Sequence, residues 1–232
     1  MSQNELLKSN EELETFAYAA SHDMREPLRM ITNYIQLIQK RLKDTLDDKM
    51  NQYFDYAAEG SLRMQKTIDD ILDYAKMKFD TEDYTKIELN KILDKTIRNL
   101  EIPIKNSGAK INFQDIPDTV HGSENHILRL FQNLIENAIK FRNEKEPEIT
   151  IGAKEKNNEF IFEIQDNGIG IDPEHSKNVF QAFKRMHNRQ KYPGTGIGLS
   201  QCKKIVEAHN GKIWIESNVN HGTSVFFSIP FR

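Results

Sequence analysis

The stretch Leu128–Phe141, LRLFQNLIENAIKF, decides how this chain is read. Leu130, Leu134, Ile135, Ala138 and Phe141 recur at three and four residues, the period of an amphipathic helix. Asn133, Asn137 and Lys140 follow the same spacing on a second stripe, so one wall of the helix carries two carboxamides and a cation. Asn is a poor helix former, and a merely solvated wall is built more stably from Glu, Lys or Gln. Two glycine clusters further on favour a working wall over a tolerated surface. They are Asp166-Asn167-Gly168-Ile169-Gly170 and Gly194-Thr195-Gly196-Ile197-Gly198-Leu199.

The 232 residues leave room for one large domain or two small ones. A hydrophobic content of 38% with 29% charged residues suits a chain with much long-helix surface. The net charge of −3 and the lack of a basic block argue against nucleic acid as a partner. Cys202 is the single cysteine, so no internal disulfide forms, which fits a reducing cytosol. No apolar run approaches the ~20 residues that cross a bilayer. The first residues lack the charged and apolar regions of a signal peptide. The expectation is a cytoplasmic chain without direct membrane insertion.

Upstream, the pattern from Asn4 to Lys43 is helical, and Asp47 is placed to cap a second helix from about Asp48 to Phe79. Gly60 interrupts that helix at a cost of ~1 kcal/mol relative to Ala. A hairpin of two such helices buries only half of each apolar stripe. The simplest partner for the rest is a second copy, giving a two-fold four-helix bundle; the chain's own C-terminal region is the alternative. A polar linker at 80–84 separates residues 1–79 from residues 85–232. Beyond it, Tyr84–Leu89 reads as a strand, and Asn90 as the cap of a helix to about Asn106. Strands follow at Ile111–Phe113 and near Thr119–Val120, with Ser123 capping the Asn-bearing helix. Ile149–Ala153 and Phe160–Gln165 alternate like a hairpin turning at Glu155–Asn158. Asp172-Pro173 opens a short helix. Gly198–Ala208 reads as a helix stopped by Asn210-Gly211. Lys212–Ser217 and Thr223–Ile229 close a mixed sheet, with Trp214 expected in the core. His121, His126, His175, His187, His209 and His221 lack metal-ligand spacing and read as surface or loop residues.

Five stretches, in order, resemble the boxes of sensor histidine kinases. Ser21-His22-Asp23-Met24-Arg25-Glu26-Pro27 is similar to that family's phosphoacceptor box. Asn133-x-x-x-Asn137, Asp166-x-Gly168-x-Gly170, Phe180-x-x-Phe183 and Gly194-x-Gly196-x-Gly198 are similar to its nucleotide-binding boxes. Arg185-Met186-His187, Tyr192-Pro193-Gly194-Thr195-Gly196 and Cys202-Lys203-Lys204-Ile205-Val206-Glu207 give it a phytochrome-like flavour. The resemblance implies an α+β protein: an antiparallel two-helix hairpin that dimerises into a four-helix bundle, then an α/β-sandwich ATP-binding domain. It implies ATP and Mg2+ as ligands, a homodimer, and a response-regulator receiver as partner. It also implies an upstream sensor domain, missing from this sequence.

By that resemblance His22 is the nucleophile, attacking the γ-phosphorus through one nitrogen of a neutral imidazole while the other holds the proton. Asp23 biases the tautomer, and Pro27 frees the carbonyl of Asp23, loosening the helix there. Asn137 is the metal ligand, a neutral carbonyl in an already anionic site. Asn133 stands where hydrolysing relatives such as gyrase carry a glutamate base; an amide cannot take a proton from water, which favours transfer over hydrolysis. Asp166 accepts from the adenine amino group, although Asp-Asn-Gly is also ordinary turn chemistry. Gly194, Gly196 and Gly198 bring backbone close to phosphates at a helix start. Gly168, Gly170, Lys140, Phe141, Arg185, Thr195 and Leu199 complete the implied nucleotide-binding set, with Phe180 and Phe183 as hydrophobic latches of a lid over 171–193. Glu26 replaces the neutral polar residue common in relatives, which places phosphatase activity in doubt. A dimeric adaptor that binds ATP without phosphotransfer is the competing reading; intact His22, Asn137, Asp166 and the late glycines count against it.

Overall fold

A computed structural model describes the backbone of residues 3–42, 45–77, 84–176, 178–184, 186, 192 and 194–231. Side chains are described from Asp23 onward, His175 excepted. The contacts divide the chain into two units, Met1–Lys78 and Phe79–Arg232.

The first unit is a hairpin of α1 (Gln3–Leu42) and α2 (Asp48–Ala75). Asp47 stands at the N-cap of α2 with its carboxylate accepting from Met50 N–H at 2.7 Å, as its position before the apolar run predicts. Two cross-links set the antiparallel register: Arg25 donates to Asp69 Oδ1 at 2.6 Å and Gln39 Nε2 to Asp55 Oδ1 at 2.8 Å. Among the described residues of this unit, Leu28, Ile68 and Leu72 are the buried apolar side chains. α2 stops at Ala75, earlier than Phe79, where Lys76 N–H closes the last turn on Leu72 O at 2.8 Å. α1 passes through Pro27 without a break.

Tyr84, expected in the linker, is the first described residue of the second unit. It is buried, and its hydroxyl donates to Ala208 O at 3.2 Å; residues 80–83 lie outside the described residues. β1 (Thr85–Glu88) pairs antiparallel with β3 (Thr119–Gly122). The helix for which Asn90 is the expected cap starts two residues earlier, with Glu88 at the N-cap, and is two helices, α3 (Leu89–Asn99) and α4 (Glu101–Ser107). Glu88 takes the N-cap position because Leu89 is fully buried and its N–H bonds Asp118 O at 2.9 Å. The break at Leu100 has its cause in Pro103, which lacks an N–H and whose ring would meet the Asn99 carbonyl in a continuous helix.

The main sheet has the order β2-β4-β5-β7-β6, from β2 (Lys110–Gln114), β4 (Glu148–Lys156), β5 (Glu159–Asp166), β7 (Thr223–Pro230) and β6 (Ile213–Ser217). Only the β2–β4 pair is parallel. The β4–β5 turn is Asn157-Asn158, with φ of 52° and 63°, the left-handed pair a two-residue hairpin needs. α5 (Glu124–Lys140), the short α6 (Pro173–Ser176) and α7 (Gly198–Ala208) complete the unit. α5 lies on the sheet through Phe131, whose ring meets Phe162 and Phe227 at centroid distances of 5.8 and 5.6 Å. All three rings are fully buried, each stabilising the fold by roughly 1.5–3 kcal/mol.

Two expectations fail here. Trp214 is not in this core: it pairs with Phe226, stacks on it at 5.3 Å and is half-buried. Register puts both on the face opposite Phe162 and Phe227, because alternation along β7 separates Phe226 from Phe227. His209 is not a surface residue. It is buried at the end of α7, stacked on Tyr84 at 4.4 Å, with Nδ1 2.7 Å from Ile205 O. Its Nε2 accepts from Ser123 N–H at 3.3 Å, so Ser123 holds the N-cap position of α5 through its backbone and makes no side-chain cap bond.

Candidate active site

α5 buries Leu130, Leu134, Ile135 and Ala138 and leaves the Asn133–Asn137–Lys140 wall half-exposed. That wall meets the late glycines. A Cβ at Gly198 would stand 3.7 Å from Asn133 Oδ1 and 3.9 Å from Asn137 Nδ2, and a Cβ at Gly194 would collide with Lys140 Nζ. The sequence separation of some sixty residues is therefore closed, with the wall facing the start of α7 and its unpaired N–H groups. Lys140 Nζ also lies 4.5 Å over the Phe141 ring, which in turn meets Tyr192 at 5.3 Å. Thr195 and Leu199 are half-buried in the same segment.

The Asp166 cluster is fastened to the end of α5, since Ile169 N–H bonds Phe141 O at 3.0 Å. Asp166 Oδ1 accepts from Gly168 N–H at 2.8 Å and from Thr223 N–H at 3.2 Å. Burial pushes the carboxyl up to about 6, against the opposing pull of those two N–H groups. Both the turn role and a free second oxygen are thus present in one side chain. Gly170, at φ +68°, packs against Asn218 O, where a side chain would clash. Gly222, at φ +83°, does the same against Asp166 O.

Phe183, expected as a hydrophobic latch, lies on the surface among the described residues. Its backbone is left-handed, φ 65°, held by its N–H to Gly196 O at 3.1 Å, and the ring is 57% exposed. Arg185, Lys191 and the His22 side chain lie outside the described residues, and Asp23 is exposed. Glu26 is exposed as well, and the Arg25 guanidinium beside it reaches Asp69.

Several contributors were not singled out from the sequence. Gln201 is buried and accepts from Asn133 Nδ2 at 3.2 Å and from Arg129 Nε at 3.3 Å. Its signal was available: it sits midway between Ile197 and Ile205, a polar residue on the apolar face of α7. Thr223 and Gly222 carry no such signal, because they act on partners remote in sequence. Cys202, beside Gln201, is buried, and desolvation pushes its thiol up to about 12.

Two family models match the chain. One describes the His Kinase A phospho-acceptor domain, over residues 12–79, and the other the histidine kinase-, DNA gyrase B- and HSP90-like ATPase, over residues 122–232. The chain belongs to the histidine kinases. The second unit of this kinase core is accordingly an ATPase-type nucleotide-binding module, helical N-terminal region preceding it. Cyanobacterial phytochrome A of Nostoc sp. is 46% identical over 98% of the chain, and phytochrome-like protein Cph1 of Synechocystis sp. is 43% identical over 97%. The core spans about 30% of the length of each. Histidine kinase ThkA, solved in complex with response regulator protein TrrA, has the same fold, with a TM-score of 0.66 and 22% identity over 99% of this chain and 66% of that one. Among the described residues no helix is long and apolar enough to cross a membrane.

Proposed function

We propose that this chain is the phosphotransfer core of a two-component system, autophosphorylating His22 from ATP and passing the group to an aspartate of a response-regulator receiver. The observation that carries it is the meeting of the Asn133–Asn137–Lys140 wall with Gly194 and Gly198, beside an Asp166 cluster tied to the same helix. Asp166 offers its second carboxylate oxygen to the adenine amino group. The backbone at the start of α7 approaches the phosphates, and Lys140, with Arg185, neutralises them. Among the described residues no cluster of His, Cys, Asp or Glu is built to hold a metal by itself. A magnesium ion carried by the triphosphate and its waters would need only one or two protein oxygens, and the Asn137 carboxamide would supply one.

In the reaction a neutral His22 nitrogen forms a bond to the γ-phosphorus as the bond to ADP breaks, and the imidazolium proton is balanced by Asp23. Asn133, lacking basicity, does not activate water, so the phosphoryl group is kept for the receiver. Glu26, ionised, repels an acyl-phosphate and makes the core a poor phosphatase. Exposed Ile31, Tyr34, Ile38, Met50 and Tyr53 on the hairpin support a second copy as its partner in a four-helix bundle. Incubation with labelled ATP and magnesium tests the reading. Label that is acid-labile and base-stable is expected; absence of label, or acid-stable label, contradicts it.

A further inference from the structure

Gln201 takes no part in the reaction just described, yet it is only 3% exposed and its carboxamide is fixed by its neighbours. Arg129 Nε, which can only donate, lies 3.3 Å from one end of that carboxamide, so that end is the oxygen. Turning the group over would set two donors face to face. The same oxygen takes a second hydrogen bond from Asn133 across 3.2 Å, so the Asn133 atom facing it is the amide nitrogen. Gln201 Nε2 has no partner among the described residues, so the arrangement satisfies the oxygen twice and leaves the nitrogen unmatched. With its nitrogen turned into the α5–α7 interface, Asn133 presents Oδ1 to the first residue of α7, 3.7 Å from the Cβ position of Gly198.

We propose that Gln201 is a positioning residue that locks the Asn133 carboxamide so that its oxygen, and not its NH2, faces the triphosphate side of the site. Asn133 there accepts a hydrogen bond from a water of the hydrated divalent cation that accompanies ATP, a ligand class that keeps several waters. The inference rests on the kinase reading and specifies what Asn133 offers within it. Arg129 supports the lock from the far side, and Gln201 reaches the nucleotide only through Asn133.

Two readouts on the full chain test it: hydrogen exchange of the Asn133 side-chain NH2 by NMR, and kcat with KM for autophosphorylation. In Gln201→Leu the Asn133 NH2 should lose its protection, and kcat should fall by about 5- to 10-fold, the worth of one orienting hydrogen bond. KM for ATP should stay within about twofold, since the adenine contacts are untouched. The thermal midpoint should fall slightly, because Arg129 Nε and the Asn133 NH2 lose their acceptor, while loss of the unmatched Nε2 offsets part of that cost. Gln201→Glu, which keeps an acceptor for Arg129 and Asn133, should restore both readouts. Unchanged protection or unchanged kcat in Gln201→Leu overturns the proposal, as does Gln201→Glu failing as badly as Leu. If Leu does not fold, Gln201→Met carries the same comparison. A wild-type chain that takes no label sinks the kinase reading alone, and the exchange arm still decides whether Gln201 orients Asn133.

Discussion

The two units differ in what they leave uncovered. The nucleotide-binding unit closes a core within itself: Phe131, Phe162, Phe227, Leu130, Ile135 and Ile164 are all essentially without exposure. The hairpin does not. Tyr34 is 64% and Tyr53 53% exposed, and Ile31, Ile38, Leu42 and Met64 stand open beside them. Contiguous apolar surface of this kind marks an association face. One unit is specified by its own packing, while the other leaves apolar side chains open, the face to which the proposed second copy is assigned.

The largest effect is expected where packing is self-contained. Phe131→Ala should cost about 3–5 kcal/mol and unfold the nucleotide-binding unit, measured by denaturant titration of ATP affinity, while helical content of the hairpin persists. Loss of both signals together would erase the distinction between the units.

Next comes the site within that unit. Asp166→Asn replaces an acceptor with an amide and should weaken ADP binding by about 10- to 100-fold, the worth of a buried charge-assisted hydrogen bond. In the wild type, affinity should fall as pH drops through about 6, where the carboxyl takes its proton, and the Asp166→Asn variant should lack that step. The sign for stability is opposite. Between the ordinary value of 3.8 and about 6 the folded state holds a proton that the unfolded state has released. This group therefore favours the fold more at the acid end of that window, and its contribution declines as pH rises through it. Calorimetry across the window reads both.

Ile31→Ala tests the other half of the comparison. Removing part of an exposed apolar side chain should weaken self-association by about 1–1.5 kcal/mol per copy and leave nucleotide affinity unchanged. Sedimentation at several concentrations measures it, and a chain that stays monomeric throughout removes the dimer from the account. Gly60→Ala is the smallest. The Cβ site is open, its nearest neighbour the Arg63 guanidinium at 3.7 Å, so α2 should gain about 0.5–1 kcal/mol. A lowered thermal midpoint would show that close packing on α2 requires the glycine.

The same contrast explains what was legible in the sequence. Periodicity located α1, α2, α5 and α7 because each is long and strongly amphipathic, and Asp47 and Asn210-Gly211 marked ends through purely local chemistry. Asn90 misplaces a helix start because burial draws Leu89 into the core, whereas the division at Pro103 is local chemistry that the sequence already carries. Trp214 was misjudged since apolar content does not reveal which sheet face a residue takes without the register. His209 and Gln201 are buried polar groups whose partners, Ser123 and Tyr84 for one, Arg129 and Asn133 for the other, lie scores of residues away. At the site, the motif spacing gathered Asn133, Asn137, Lys140, Gly194 and Gly198 correctly. The exposed, left-handed Phe183 and the bracing Gly222 depend on loop geometry that no spacing encodes.

The most direct measurement of the central claim uses His22→Gln, because the proposed acceptor and the nucleotide site belong to different units. Labelled ATP with magnesium should give no phosphorylated protein from this variant, while ADP affinity by calorimetry stays within about twofold of wild type, the pocket being untouched. Label retained at the wild-type level in His22→Gln would contradict the account.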